Sequence, residues 1–453
     1  MNIDSSASTA EFDRFMQANA DVVELETFIV DVNGHALGKR IPIAQGRRTF
    51  ESGISFSACA PILDCQGRGH DPAGIGGSDG DPDGTALPLA DNLCRVPWAK
   101  APTAQVMCEM RRFDTRAPLW FDPRVILQRV ISECAAQGIR AVVACELEFY
   151  LVDRGRTEQG KLKLAANSRT RAAPRRPMNL SLECLEDSAD FLSQVVTAAK
   201  AQSIPLAGSV AEYGLGQYEV NLRHVPDPLL AADHAVLLKR LVRGIARTNG
   251  IDATFMAKPF LDQPGSGLHV HISLIDEEGG SRFSAPGGDE LLQEAVAGMQ
   301  VLMFDSIALF APNFNSHRRF MGPFVPTAAT WGYNNRTVAM RIPAAGGPDL
   351  RIEHRVAGAD ASPHLVVAAI LAGVLHGITN RLRPSAPTYG CAQGGQDPVF
   401  PAGLLNALER MERSDVLSQY IPKPYIEAYA QLKRGEYHAL CAQMSPRELD
   451  FYA

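Results

Sequence analysis

The chain reads as an α+β protein in two parts, and three observations carry that reading. Its 453 residues exceed the needs of one ordinary domain. Residues 11–112 carry short alternating segments punctuated by turns. Beyond them, strands that carry charged side chains alternate with amphipathic helices. The boundary therefore falls near Arg112, giving an N-terminal domain over 1–112 and a larger one over 113–453.

In the first part, Phe28-Ile29-Val30-Asp31-Val32-Asn33 alternates with period two, Asn33-Gly34 is a turn pair, and Gly38-Lys39-Arg40 follows. Together they predict a β hairpin. Residues 67–84 (GRGHDPAGIGGSDGDPDG) are too rich in Gly, Asp and Pro to be anything but loop. Strands resume near 105–109. Asp122 as cap and Pro123 at the first helical position open a helix to Ala136, and a strand begins at Ala141. Further helices are expected over 188–201, 233–249 and 289–310, with a largely helical cap over 403–444.

Composition narrows the function. A chain that is 46% apolar and 21% charged with a net charge of -6 is ordinary globular protein. It lacks the concentrated basic charge that nucleic acid or an anionic membrane calls for, so small-molecule chemistry is expected. The apolar run 365–375 is shorter than the roughly 18 residues of a membrane span and reads as a buried helix. The start, MNIDSSASTAEF, has neither the basic end nor the apolar core of a signal peptide. Nine cysteines, an odd number without a CxxC pair, fit a reducing cytoplasmic setting.

Four segments carry the chemistry. Residues 142–151 (VVACELEFYL) form a strand with Glu146 and Glu148 on one face. Residues 211–222 (AEYGLGQYEVNL) place two glycines between Glu212 and Glu219, with Tyr218, Val220 and Leu222 on the face opposite Glu219. Residues 265–274 (GSGLHVHISL) put His269, His271 and Ser273 on one face and four aliphatic side chains on the other. Last come Arg318-Arg319, Arg336, Arg341 and Arg351-Ile352-Glu353-His354-Arg355. Each alone has a bland reading: solvated strand faces, a structural HxH pair, ordinary salt bridges. Arginine, however, is also the side chain that grips carboxylate and phosphate with two parallel bonds.

Taken together and in this order, the four segments resemble the glutamine synthetase family over nearly the whole chain. The resemblance implies a small N-terminal β-grasp-like domain and a catalytic domain whose antiparallel strands form a funnel. It further implies ATP and two divalent ions, Mg²⁺ or Mn²⁺, with Glu148, Glu212 and Glu219 at one ion and Glu146, His269 and Glu353 at the other. Five carboxylates and a histidine converging on one cavity demand such cations. By the same resemblance His271, Ser273, Arg341 and Arg351 are nucleotide contacts, and Gly265, Arg319 and Arg355 hold glutamate. Arg336 is the cation for the transferring phosphoryl group, and subunits assemble in hexameric rings that complete one another's sites.

The departures from the family pattern concern the nucleophile. Ammonia-using relatives carry an aspartate in an N-terminal FDGSS-like loop and a glutamate in the segment after an NSxKR motif. Here Ser57 stands where that aspartate falls, and residues 320–335 (FMGPFVPTAATWGYNN) contain no acid. Phe56, Met321, Phe324, Val325 and Trp331 are expected to line an apolar pocket that admits an amine's carbon chain and excludes ammonium. The expected activity is therefore ligation of glutamate's γ-carboxylate to a monoamine or polyamine, with an ammonia-using synthetase and a non-catalytic relative as the rivals. Pro264 replaces the usual Asn before Gly265, leaving that glutamate contact to backbone. No tyrosine-bearing adenylylation loop is found after Gly390.

Overall fold

The computed structural model describes residues 7–168, 172–176, 178–344, 346–392 and 400–444. The extreme start of the chain and much of the stretch after Gly390 thus lie outside the described residues. Two sheets dominate. The first has six strands, with spatial order Ala36–Pro42, Glu24–Val30, Thr103–Arg112, Asp83–Pro88, Ile54–Ser57, and Cys94–Arg95 added against Thr103–Arg112. The expected hairpin is there: Glu24–Val30 and Ala36–Pro42 run antiparallel around Gly34, whose φ of +74° suits the tight turn. Glu24–Val30 is parallel to Thr103–Arg112, and the loop 67–84 spans the gap without forming a strand until Asp83–Pro88.

The second sheet has nine strands. Its path runs Trp331–Tyr333, Met340–Ile342, Ile352–His354, Leu268–Ile275, Arg140–Arg156, Gln217–Leu222, Leu206–Ala211, and Asp252–Thr254 and Leu162–Leu164 both pair with Arg140–Arg156. Every pairing is antiparallel except Trp331–Tyr333 with Met340–Ile342. One face is packed by helices. Leu147, Phe149, Val220, Leu268, Val270 and Ile272 are buried on that side, as the alternation required.

The helix Pro123–Ala136 begins where expected, because the Asp122 side chain accepts from the Arg124 backbone N–H at 2.8 Å. The run 365–375 is the centre of the buried helix Pro363–Thr379, which crosses Gly288–Met303 at backbone contact. A Cβ on Gly298 would sit 2.0 Å from the Gly373 carbonyl oxygen, so only glycine permits that crossing. No helix among the described residues is long and apolar enough to cross a membrane.

Some boundaries differ from expectation. The helix expected at 233–249 is Pro228–Thr248, started five residues earlier by the cap of Asp227 on Leu229 and Leu230. The helix expected at 289–310 is two, Gly288–Met303 and Ile307–Phe310. Short helices at Thr9–Ala18, Gly46–Ser52 and Leu182–Asp187 were not expected at all; Ser8 and Ser181 cap the first and third, Gly46–Ser52 has no side-chain cap, and none has long apolar periodicity.

A buried ionic chain ties the first sheet to the helices behind the second. Arg124 bridges Glu109 at 3.1 Å and Asp233 at 3.2 Å, and His364 lies 2.8 Å from Asp233. Since Glu109 belongs to Thr103–Arg112, this chain fixes that strand relative to three helices of the larger part.

Candidate active site

Strand register builds the site. Arg140–Arg156 lies between Leu268–Ile275 and Gln217–Leu222, which sets Glu148 opposite Glu219 and Glu146 opposite both Asn221 and His269. On the next strands, Glu353 is opposite both His271 and Arg341. Directly opposed residues in antiparallel pairs share a face, so these side chains project from the face away from the aliphatic core. The sheet thus collects in one basin five residues expected to hold metal: Glu146, Glu148, Glu219, His269 and Glu353.

Within the basin two groups of ligand atoms lie within 4.8 Å of one another: Glu146, His269 and Glu353, and Glu148, Glu219 and His269. The first is the triad expected. In the second, His269 stands where Glu212 was expected, so His269 lies between both groups. Glu212 is outside that cluster but near enough for Glu148 and Arg336 to act on its charge. The donor set, carboxylate oxygens and one imidazole, fits hard divalent cations of the Mg²⁺ or Mn²⁺ kind.

The two groups are electrostatically unlike. Glu146 Oε1 is 2.9 Å from His271 Nε2, and its Oε2 is 3.4 Å from His269 Nδ1. Burial works to raise the Glu146 pKa, but these two histidines hold it well below the usual range. Glu353 takes a 2.8 Å bond from Arg341 and another from Arg355. Against its burial, Arg355, His269 and His271 bring its pKa down to about 2. Among the described residues Glu148 accepts hydrogen bonds only from neutral donors, the Gly267 backbone N–H at 2.7 Å and Gln217 Nε2 at 3.3 Å. Next to it, burial followed by Glu146, Glu148 and Glu212 pushes Glu219 up to about 9. Burial and then Glu148 raise Glu212 to about 7.

The remaining expected residues are distributed as follows. Arg351 Nε donates to His271 Nδ1 at 3.1 Å, and Ser273 Oγ donates to the Leu350 carbonyl at 3.0 Å. Arg319 is buried, donates to the Val356 carbonyl at 2.8 Å, and is lowered to about 10 by that burial. It passes so close to Gly267 that a Cβ there would meet its Nη2 at 2.7 Å. The Gly265 carbonyl accepts from Gln217 Nε2 at 3.0 Å, and Tyr150 donates to the Pro264 carbonyl at 2.8 Å. Arg336 is exposed beside the basin's Glu212.

Within the single chain the residues expected to line an amine pocket fall in two places, Phe56 and Ser57 in the first sheet and the others in 320–335. Trp331 is only 3% exposed and donates its indole N–H to the Ser385 carbonyl at 2.7 Å, so it is a core residue. Val325 is buried too, whereas Met321 and Phe324 are exposed. Phe56 and Ser57 belong to the first sheet: Lys39 Nζ lies 5.0 Å over the Phe56 ring, and Ser57 donates to Asp81. Among the described residues none of their hydrogen bonds or ring contacts reaches 320–335. Sequence reasoning missed Asp81, a carboxylate held at Ser57 from 24 positions further on. It also missed Tyr213, whose ring stacks on Phe324 with centroids 5.7 Å apart.

The model of the glutamine synthetase catalytic domain matches residues 121–452. The chain belongs to the glutamine synthetase family. Among curated relatives, it is 39% identical to gamma-glutamylputrescine synthetase PuuA of Escherichia coli (strain K12), over 95% of this chain and 92% of that protein. It is 33% identical to a glutamate–isopropylamine ligase of a Pseudomonas species, over 80% and 79%. A solved structure titled "Apo GmaS without ligand" superposes with a TM-score of 0.82 over 96% of this chain and 97% of its own; at 24% identity that likeness concerns the fold.

Proposed function

We propose that the protein joins the γ-carboxylate of glutamate to a primary amine at the expense of ATP, through a γ-glutamyl phosphate. The observation that carries the reading is one basin that holds the family's acids and arginines beside a segment, 320–335, with no carboxylate to receive ammonium. Curated relatives that act on putrescine and isopropylamine support it.

In this reading Glu146, Glu148, Glu212, Glu219, His269 and Glu353 hold two divalent cations, which when bound neutralise the phosphates and carboxylates gathered there. His271, Ser273, Arg341 and Arg351 orient ATP. Arg319, Arg355 and the Gly265 backbone present glutamate so that a γ-carboxylate oxygen attacks the γ-phosphorus and ADP departs. Arg336 offsets the charge on the phosphoryl oxygens in flight. The amine nitrogen then attacks the carbonyl carbon, phosphate leaves with the C–O electron pair, and a proton is lost from nitrogen.

The same reading assigns residues 1–112 to a β-grasp-like domain and 113–453 to the catalytic domain. Subunits assemble on hexameric rings, in which Ile54–Ser57 reaches the neighbour's basin and brings Asp81 with it. That carboxylate is a partner for the second ammonium of a diamine, which favours including diamines beside monoamines. A cytoplasmic setting accords with nine free thiols.

The test is phosphate release from ATP with glutamate and Mg²⁺ or Mn²⁺, comparing ammonium with polyamines, short alkylamines and aromatic amines, and weighing products by mass. Turnover with an amine above that with ammonium is expected. Turnover with ammonium alone restores the ordinary synthetase, and none with any nucleophile the non-catalytic relative.

A further inference from the structure

Two segments that the sheet does not contain meet above the basin. Glu212 ends one side of a turn that returns at Gln217, and Tyr213 follows it, its backbone N–H 3.3 Å from Glu212 Oε2. The turn is pinned from below: the Gly214 N–H donates to Gln217 Oε1 at 2.9 Å, and the Leu215 N–H to Gln263 Oε1 at 3.1 Å. Gln217 in turn donates to Glu148 at 3.3 Å. Tyr213 is therefore held in fixed relation to the carboxylates. Phe324 approaches from the acid-free segment in a left-handed backbone conformation, φ +57°, that a phenylalanine adopts only when its surroundings enforce it. The two rings stack at 26° with centroids 5.7 Å apart.

Both rings are left half open, Tyr213 at 51% and Phe324 at 48%. Within the single chain the pair leaves apolar area free at the side of the basin where the acid of the ammonia-using pattern is missing from 320–335.

Resting on the amine-ligase reading, we propose that Tyr213 and Phe324 are specificity-determining residues that bind the carbon chain of the amine, and that the natural substrate is a primary amine bearing an extended uncharged methylene chain. Tyr213 and Phe324 form two walls of one apolar surface. Neither takes part in phosphoryl transfer. Their contribution is the area they remove from water with each methylene laid on them, about fourfold in affinity per CH₂.

The experiment measures kcat/KM for n-alkyl primary amines from methyl to hexyl, in the full chain and in Tyr213→Ala, Tyr213→Phe and Phe324→Ala. Both residues are half exposed, so the variants are expected to fold, and glutamate- and ATP-saturated assays are run on protein of unchanged thermal melt. The wild type should gain severalfold per methylene, Tyr213→Phe should keep that slope, and the two alanine variants should flatten it to less than twofold. A slope unchanged in both alanine variants overturns this inference and leaves the ligase reading standing. Equal flattening by Tyr213→Phe overturns it as well, since the hydroxyl and not the ring face would then set the preference. Wild-type turnover with ammonium alone overturns both.

Discussion

The two halves of the carboxylate basin are built from the same sheet and differ in how they are neutralised. Glu353 pairs with the chain's own cations Arg341 and Arg355, and Glu146 lies within reach of the His269 and His271 rings. Glu148 has a backbone and an amide donor for company, and burial first, then repulsion from the neighbouring carboxylates, lifts Glu219 to about 9 and Glu212 to about 7. The first half can stand with its charges in place; the second keeps a proton until a cation arrives. In the proposed reading one half is thus part of the fold's stability and the other is left for the cations.

The largest expected effect is on turnover. If, as proposed, Glu148 is a ligand in the half that depends on a bound cation, then in Glu148→Gln amine-dependent phosphate release should fall by about 10³-fold or more. The thermal melt of the metal-free protein should hardly move. Full activity in this variant would sink the assignment of the basin.

Stability should separate the halves in the opposite sense. Glu353→Gln leaves Arg341 and Arg355 without their shared carboxylate, and both are largely buried. The cost should be about 3 kcal/mol, read as a clear drop in melting temperature. Glu219→Gln replaces a carboxyl that already keeps its proton at neutral pH by a neutral isostere, so the metal-free variant should melt close to the wild-type temperature while losing activity. If both variants lose stability alike, the distinction between the halves is wrong.

The third effect is a pH dependence. A carboxyl raised to about 9 in the folded chain binds its proton more tightly there than when unfolded. Its contribution is therefore fully present at acid pH and is lost as pH rises from the ordinary carboxyl range through about 9. The metal-free protein should melt at lower temperature as pH rises across that window, and Mg²⁺ should reverse the trend. Cation affinity should rise by up to about tenfold per pH unit between 7 and 9, with proton release measurable in weakly buffered solution. A pH-independent affinity would remove Glu219 from the cation's ligands.

These contrasts also explain what was legible in the sequence. The floor was readable because period-two alternation forces Glu146 with Glu148, and His269 with His271, onto one face opposite the aliphatic residues. Antiparallel register then does the rest. The helix at Pro123–Ala136 was equally plain from its cap and proline. The rim was not readable in this way. Tyr213, Phe324, Ser57 and Asp81 lie on turns and loops, or at a strand end beside one, where no period relates a residue to its neighbours in space. The burial of Trp331 in the single chain was not legible either, because an aromatic near a site and an aromatic in the core look identical until a partner such as the Ser385 carbonyl is seen. Short helices such as Thr9–Ala18 lacked the length that makes periodicity decisive.

The smallest expected effect lies at that rim. Ser57→Asp sets a second acid beside Asp81, repeating at the edge the crowding of carboxylates without a cation that marks Glu148, Glu212 and Glu219. Such a pair attracts whatever small cation it can reach. If Ile54–Ser57 faces a neighbour's basin, the variant should raise trace turnover with ammonium by a few fold and lower that with long alkylamines by a similar factor. Asp81→Asn, which removes the acid already present, should move diamine turnover down and leave monoamines nearly untouched. The two substitutions thus act in opposite directions on the same edge. Indifference of every amine to both would mean that this strand never approaches an active site, and would confine the choice of nucleophile to Tyr213, Phe324 and the segment that carries it.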